Sequence, residues 1–380
     1  MKRKIWMMSA LLAVLATGLL AQQPVTFTTP AVVGDTPADA GPKAQNLSAK
    51  FQRRDVAKAL KLVADWQLQR LPKQADSDWT FAALYDGLLA VPDAVNGDKY
   101  KSAVTQFAGQ LEWKPGKRIL NADDHAIGKP YLELYLLHRD ESRIAPIRAR
   151  MEEVMAAPED PKKLLWWWSD ALYMAPPVLA ELYGVTGDTR YISFMDKQWS
   201  KTSDLLYDQK QHLFSRDATF LDQHEKNGQK IYWSRGNGWV MGGLVRVLQR
   251  LPADSPLRAK YVLQLQQMAD ATAAIQSKDG LWRPGLLDPD SYALPEISGS
   301  AFITYAIAYG VNEKILDKKK YTPVLQQAWA GMLSHIYADG RLGSIQPIGA
   351  APGAFTETSS YVYGVGAYLL AGSEIYRMAK

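Results

Sequence analysis

The strongest constraint on this chain is a recurrence. Six times a polar or glycine-rich segment opens into an apolar run rich in small residues, which a turn then joins to a more amphipathic stretch. The openings lie at Asp78-Trp79-Thr80, Asp123-Asp124-His125, Trp168-Ser169-Asp170, Trp233-Ser234-Arg235-Gly236-Asn237-Gly238-Trp239, Glu296-Ile297-Ser298-Gly299-Ser300 and Thr358-Ser359-Ser360-Tyr361. They stand about 45 to 65 residues apart, the span of two helices and their connections. Gly184-Val185-Thr186-Gly187-Asp188 supplies the turn after the third apolar run, and Arg190-Tyr191 opens its partner. From Ala44 onward alternating β-branched runs are few, and Asn46 to Leu71 reads as one amphipathic helix. The chain is therefore expected to be all-α.

Six helical hairpins in one domain predict an (α/α)6 barrel, a toroid of six inner helices ringed by six outer ones. An open solenoid of helix pairs competes, but its repeats would resemble each other more closely than these do. Apolar character on nearly all faces of the inner runs also favours helices buried between neighbours. In a closed ring all inner helices start at the same end, so their loops meet in one funnel.

The termini set the limits of that domain. Lys2, Arg3 and Lys4 precede an apolar run from Ile5 to Leu20, so residues 1–21 read as a signal peptide and the mature protein as secreted and periplasmic. The run is short for an uncleaved membrane anchor. Residues 22–42, rich in Pro, Thr, Ala and Gly, are expected to form a flexible arm, and residues 43–380 one domain. Removing 1–21 takes three positive charges and no acids, lowering the net charge from +5 to +2. No basic block remains to bind nucleic acid. Cysteine is absent, which excludes disulfides, thiolate catalysis and thiolate metal sites.

The funnel would gather Trp79, Asp124, His125, Trp168, Asp170, Trp233, Arg235, Asn237, Trp239, Glu296, Ser298 and Ser359. Indole faces suit a sugar ring, and an arginine suits its carboxylate. An aspartate walled by indoles should have a raised pKa, as a general acid needs. Each residue also has a plainer role. Asp124 and Asp170 stand where helix N-caps stand, Arg235 could serve only to bond loop carbonyls, and His125 could be structural. His138, His212, His224 and His335 show no metal-ligand spacing. Gly236-Asn237-Gly238 lacks the context of a phosphate loop, and there is no Gly-x-Ser-x-Gly elbow.

Two of these segments, Trp168-Ser169-Asp170-Ala171-Leu172-Tyr173-Met174-Ala175-Pro176-Pro177 and Trp233-Ser234-Arg235-Gly236-Asn237-Gly238-Trp239, closely resemble motifs of the unsaturated rhamnogalacturonyl hydrolases of glycoside hydrolase family 105. The related unsaturated glucuronyl hydrolases share that fold and chemistry. The similarity runs from about Ala44 to the C-terminus, and it implies an (α/α)6 barrel. It also implies a reaction: hydration of the 4,5-double bond that polysaccharide lyases leave on a terminal uronic acid. By this resemblance Asp170 is the general acid and then the base, with Asp124 the second catalytic carboxylate, raising the pKa of Asp170 by like charge. Trp168, Trp233 and Trp239 shape the sugar pocket, Arg235 binds polar or anionic groups, and His125 and Trp79 belong to the same binding surface. The family commonly has a histidine after Leu213-Phe214, where this chain has Arg216, so Arg216 is expected to read a sulfate or second carboxylate. Neither metal nor organic cofactor is implied. The expected partner is a small unsaturated oligosaccharide, with no nucleic acid and no membrane once the signal is cleaved. An inverting glycosidase or a polysaccharide lyase on the same barrel, or a non-catalytic periplasmic glycan-binding protein, remain the alternatives.

Overall fold

The computed structural model describes residues 33–72 and 74–380; the signal peptide and the first part of the arm lie outside them. In chain order the helices are α1 Arg53–Arg70, α2 Trp79–Ala90, α3 Gly97–Gln110, α4 Gly128–Leu137, α5 Ala145–Ala156, α6 Ala171–Met174, α7 Pro176–Thr186, α8 Thr189–Leu206, α9 Ser234–Leu248, α10 Arg258–Ala274, α11 Ile297–Asn312, α12 Lys318–Leu333 and α13 Val362–Met378. Among the described residues only four two-residue strands occur, paired as two antiparallel ribbons.

The apolar runs become the inner ring: α2, α4, α6 with α7, α9, α11 and α13. Every residue of α9 is buried, as is Ile297–Val311 of α11. The amphipathic runs lie outside. In α8 the buried positions Ile192, Met195, Trp199, Thr202 and Leu206 fall three or four residues apart, one stripe facing inward. Closure is direct, because the last inner helix, α13, packs on the first, α2. A Cβ built on Gly366 would lie 2.1 Å from the carbonyl oxygen of Ala83, and one on Gly87 would lie 2.4 Å from that of Gly366. Only glycine lets these two backbones approach so closely.

The third inner helix is broken. Pro176 and Pro177 cannot donate backbone hydrogen bonds and clash with the preceding turn, so α6 stops at Met174 and a new helix starts at Pro176. The short turn carrying Asp170 is thereby separated from the helix body. Its ring neighbour Tyr173 donates to Asp86 at 2.7 Å, joining it to a buried charge cluster of Asp86, Lys129, Glu133, Glu181 and Arg246 inside the ring.

Two expectations need correction. The described part of the arm is tied to the barrel, where a free linker was expected. β1 (Gly34–Asp35) pairs with β4 (Ser360–Tyr361), Val33 is buried, and Asp35 accepts from Arg341 at 2.6 Å and from Arg70 at 2.6 Å. Backbone pairing and ion pairs hold a segment whose composition alone reads as a linker. The first helix also begins later than Asn46. Residues 44–52 are held elsewhere, with the Ala44 amide bonded to the Ile336 carbonyl, and Gln52 is extended.

Candidate active site

Asp170 reaches the funnel through a short strand-like crossing. Trp168 pairs antiparallel with Asp217, and the Ser169 amide donates to the Arg216 carbonyl at 2.7 Å. The second segment is fixed in turn by Asn237, whose side chain accepts from the Phe214 amide at 2.7 Å and donates to its carbonyl at 3.0 Å. Asp170 stands at the N-cap position of α6 but has helical φ and ψ, and its side chain makes no capping bond. It accepts instead from the Ser169 hydroxyl at 3.1 Å. Gly236, at the start of α9, packs against it, since a Cβ there would lie 3.4 Å from Asp170 Oδ1. Burial pushes the Asp170 carboxyl above the usual carboxylate range, against the pull of Arg216, Arg235 and the Ser169 bond. The result is an acid able to hold its proton.

The aspartate of this turn that lines the cleft is Asp123, where Asp124 was expected. Asp124 accepts from the Arg118 amide at 2.6 Å and from its guanidinium at 2.8 and 3.2 Å. Its carboxylate also lies flat against Gly116. Both contacts use it to close the loop 116–124. Asp123, one residue earlier in the turn Ala122–His125, lines the cleft. Burial pushes its carboxyl up to about 7; Arg118 opposes this, and the charges of Asp170, Asp78 and Asp124 reinforce it.

The cleft holds about 870 Å3, within the ~300–1,000 Å3 of ordinary ligand sites. Asp123, Trp167, Trp168 and Arg216 line it together with the loop Gln346–Ala354. Arg216 is paired through Nη1 with Asp217 at 2.6 Å and lies over the Trp167 ring at 5.3 Å. Its buried Nε has no protein partner. The neighbouring indoles divide their work: Trp166 is buried against Phe194, Trp168 is nearly buried, and Trp167 is 51% exposed.

Five further expectations change. Arg235 is buried and donates to the carbonyls of Gln346 (2.5 Å) and Pro347 (2.8 Å) and to the Tyr363 hydroxyl (3.3 Å). In this structure its fork holds the loop that walls the cleft, and its charge pulls on Asp170. Trp233 lies under that guanidinium at 4.3 Å and donates to the Gln346 side chain at 3.0 Å, so it supports the same loop. Trp239 packs among Tyr173, Phe302 and Trp79 in the barrel core. Trp79 itself is half-buried against Tyr363 at 5.2 Å, set back from the cleft lining. His125 is buried, bonds the Ile119 carbonyl at 2.7 Å, and is held neutral because burial pushes its pKa down to about 4. Glu296 caps α11 and accepts from the Gln346 amide.

Sequence reasoning passed over Asp123, Arg118, Trp167 and the 346–354 loop. Asp123 stands inside its motif and Trp167 immediately before one, but nothing local tells which of two adjacent side chains turns outward. Among the described residues no group of three or more His, Asp or Glu could hold a metal ion, and no helix is long and apolar enough to cross a membrane.

Comparison with known proteins adds independent findings. The family model of Glycosyl Hydrolase Family 88 matches residues 53–379. An unsaturated 3S-rhamnoglycuronyl hydrolase of Formosa agariphila is 36% identical over 322 residues, covering 80% of this chain and 85% of that protein. A solved Glycosyl Hydrolase Family 88 structure from Bacteroides vulgatus superposes with a TM-score of 0.81 at 31% identity, over 86% of this chain and 99% of its own. A structure described as a polysaccharide lyase gives a TM-score of 0.81 at 32% identity, over 86% and 98%. More distant structures assigned to family 105 share the fold.

Proposed function

Since the chain belongs to Glycosyl Hydrolase Family 88, we propose that it removes a 4,5-unsaturated uronic acid from the non-reducing end of lyase-generated oligosaccharides, with Asp170 as general acid and base. The observation that carries the assignment of Asp170 is a buried carboxyl, free of capping duty, whose pKa burial raises. Such a group keeps its proton to higher pH than an ordinary carboxyl and can transfer it. In the reaction it protonates C4 of the enol ether. As the ionised form it then takes a proton from the water that adds at C5. The hemiketal so formed opens, and the remaining sugar chain leaves with its hydroxyl. No displacement at the anomeric carbon is needed, so the two carboxyls need not follow the spacing rules of ordinary glycosidases. Asp123 lines the cleft with a raised pKa of its own, to which the charge of Asp170 contributes, so the two carboxyls would share one proton more readily than they would both ionise. Arg216 lines the cleft, and its charge would receive the uronate carboxylate or a sulfate on the neighbouring sugar. The Formosa relative's name supports a rhamnose-linked uronide as the substrate class.

The unsaturated uronide absorbs in the ultraviolet because its double bond is conjugated with the carboxylate. Incubation with the protein should bleach that absorbance, and Asp170→Asn should abolish bleaching while keeping the fold. Full activity in that variant would sink the assignment. The lyase-named neighbour makes a lyase the second reading, and the same assay separates them: a lyase creates the absorbance on intact polymer.

A further inference from the structure

The loop that walls the cleft, residues 346–354, hangs on a stem made of two chain segments, 341–345 and 357–360. Little joins the two segments directly. The Ser344 amide donates to the Glu357 carbonyl at 2.9 Å and the Ile345 amide to the Ser359 carbonyl at 3.0 Å. The Ser359 hydroxyl adds a bond to the Ile345 carbonyl at 2.6 Å. An isolated pair of chain segments is marginal in water even with a full ladder. This stem also carries strain, since Ser344 is held at φ 56°, a left-handed conformation that a serine keeps only where its surroundings impose it.

The N-terminal arm, residues 33–44, binds both sides of that stem. Toward the first segment, the Pro42 carbonyl accepts from the Ala338 amide at 2.8 Å and the Ala44 amide donates to the Ile336 carbonyl at 2.9 Å. Toward the second, β1 pairs with β4, the Thr358 hydroxyl donates to the Pro37 carbonyl at 2.6 Å, and Lys43 pairs with Glu357 at 3.0 Å. Arg341 joins all three parts. It is buried, its fork grips both oxygens of Asp35 at 2.6 and 3.1 Å, and it also donates to the Thr358 carbonyl at 3.1 Å. Arg341 and Arg70, the two partners of Asp35, lie over the ring of Trp66 at 5.0 and 4.7 Å, so α1 backs the clasp. The arm's influence also reaches the wall through aromatic contact. A Cβ on Gly34 would lie 2.2 Å from the Tyr361 ring. That ring stacks on Tyr363 at 5.8 Å, whose hydroxyl donates to the Gln346 carbonyl at 2.5 Å.

The arm lines no part of the cleft, and the acid stands on other elements, the turn before α6 and the segment bonded to it. We propose that residues 33–44 are a strap that sets the position of the cleft wall, with Asp35 and Arg341 as its positioning residues. The strap holds the wall in place for the bound uronide and has no part in the proton transfer. With the clasp open, the wall moves on its short stem, and binding must then supply the cost of ordering it. Affinity falls while the acid stays where it was. This inference rests on the unsaturated-uronide reading above.

The test opens the clasp with Asp35→Ala in the full chain and reads two quantities. Hydrogen exchange followed by mass spectrometry should show peptides over 343–361 exchanging about tenfold faster than in wild type, with peptides of the buried helix α9 unchanged. Ultraviolet bleaching of an unsaturated disaccharide should show KM raised about fivefold and kcat within about twofold. Asp35→Glu, which restores the carboxylate, should return KM to within about twofold of wild type. Unchanged exchange over 343–361 overturns the strap. Faster exchange with an unmoved KM, or a loss of kcat as large as the rise in KM, overturns its positioning role and leaves only a structural one. A wild type that bleaches nothing overturns the unsaturated-uronide reading, and the strap's part in uronide binding with it.

Discussion

Asp170 and Asp123 are both held above the usual carboxylate range chiefly by burial. Asp123→Asn should cut kcat by about 100-fold or more if the pair works as a unit; Asp124→Asn, which loosens only the Arg118 loop, should cost far less. Steady-state bleaching rates rank the two. The acid must be protonated to start the reaction, so activity should fall as pH rises through the raised pKa. Arg216 pulls the Asp170 pKa down, so Arg216→Ala should move this alkaline limb to higher pH, read from the pH profile of kcat/KM. The same groups cost stability. Asp123 ionises near 3.8 when unfolded and near 7 when folded. Its penalty is absent below about pH 4, grows between those values and is full above 7. Asp123→Asn should therefore stabilise the fold above pH 7 by about 1–2 kcal/mol, allowing for its partial opening to the cleft. Equal melting temperatures of mutant and wild type at pH 8 would contradict this.

Whole segments are placed by single buried side chains. Arg235 binds two consecutive carbonyls of the loop that walls the cleft. Arg235→Ala would leave the Gln346 carbonyl only its Tyr363 partner, take the guanidinium from the Pro347 carbonyl and uncover the Trp233 face, at a cost of about 3 kcal/mol. Thermal unfolding should show that loss, and the uronide KM should rise with it because the wall is no longer held. Arg235→Lys should rescue little, since one ammonium cannot reproduce a planar fork. The proline break after α6 works at the same scale. It frees the turn bearing Asp170 from the helix ladder, while the Ser169–Arg216 and Tyr173–Asp86 bonds re-fix it.

Closing the ring makes one site from six hairpins, and the closure rests on the Gly87–Gly366 approach of α2 and α13. Gly366→Ala should force those backbones apart and lower stability by about 2–3 kcal/mol, measured by denaturant unfolding. Activity should fall in the same variant, since a sprung seam displaces α13, and with it Tyr363, which braces Arg235.

The barrel was legible in the sequence because it rests on local signals repeated six times: apolar helical runs, polar openings and turns of the expected length. Asp170 was legible for a related reason, since its motif places it at a helix start among tryptophans. What lay beyond the sequence was direction. Adjacent residues in a tight turn point about a third of a turn apart, so only the folded loop tells that Asp123 faces the cleft and Asp124 faces Arg118. Likewise Arg235 turns toward carbonyls more than 100 residues away, and Trp167, not Trp233 or Trp239, keeps its face in solvent. Local patterning determines which elements form and in what order. Which side chain meets solvent is decided by partners distant in the chain, and those exist only once the ring has closed.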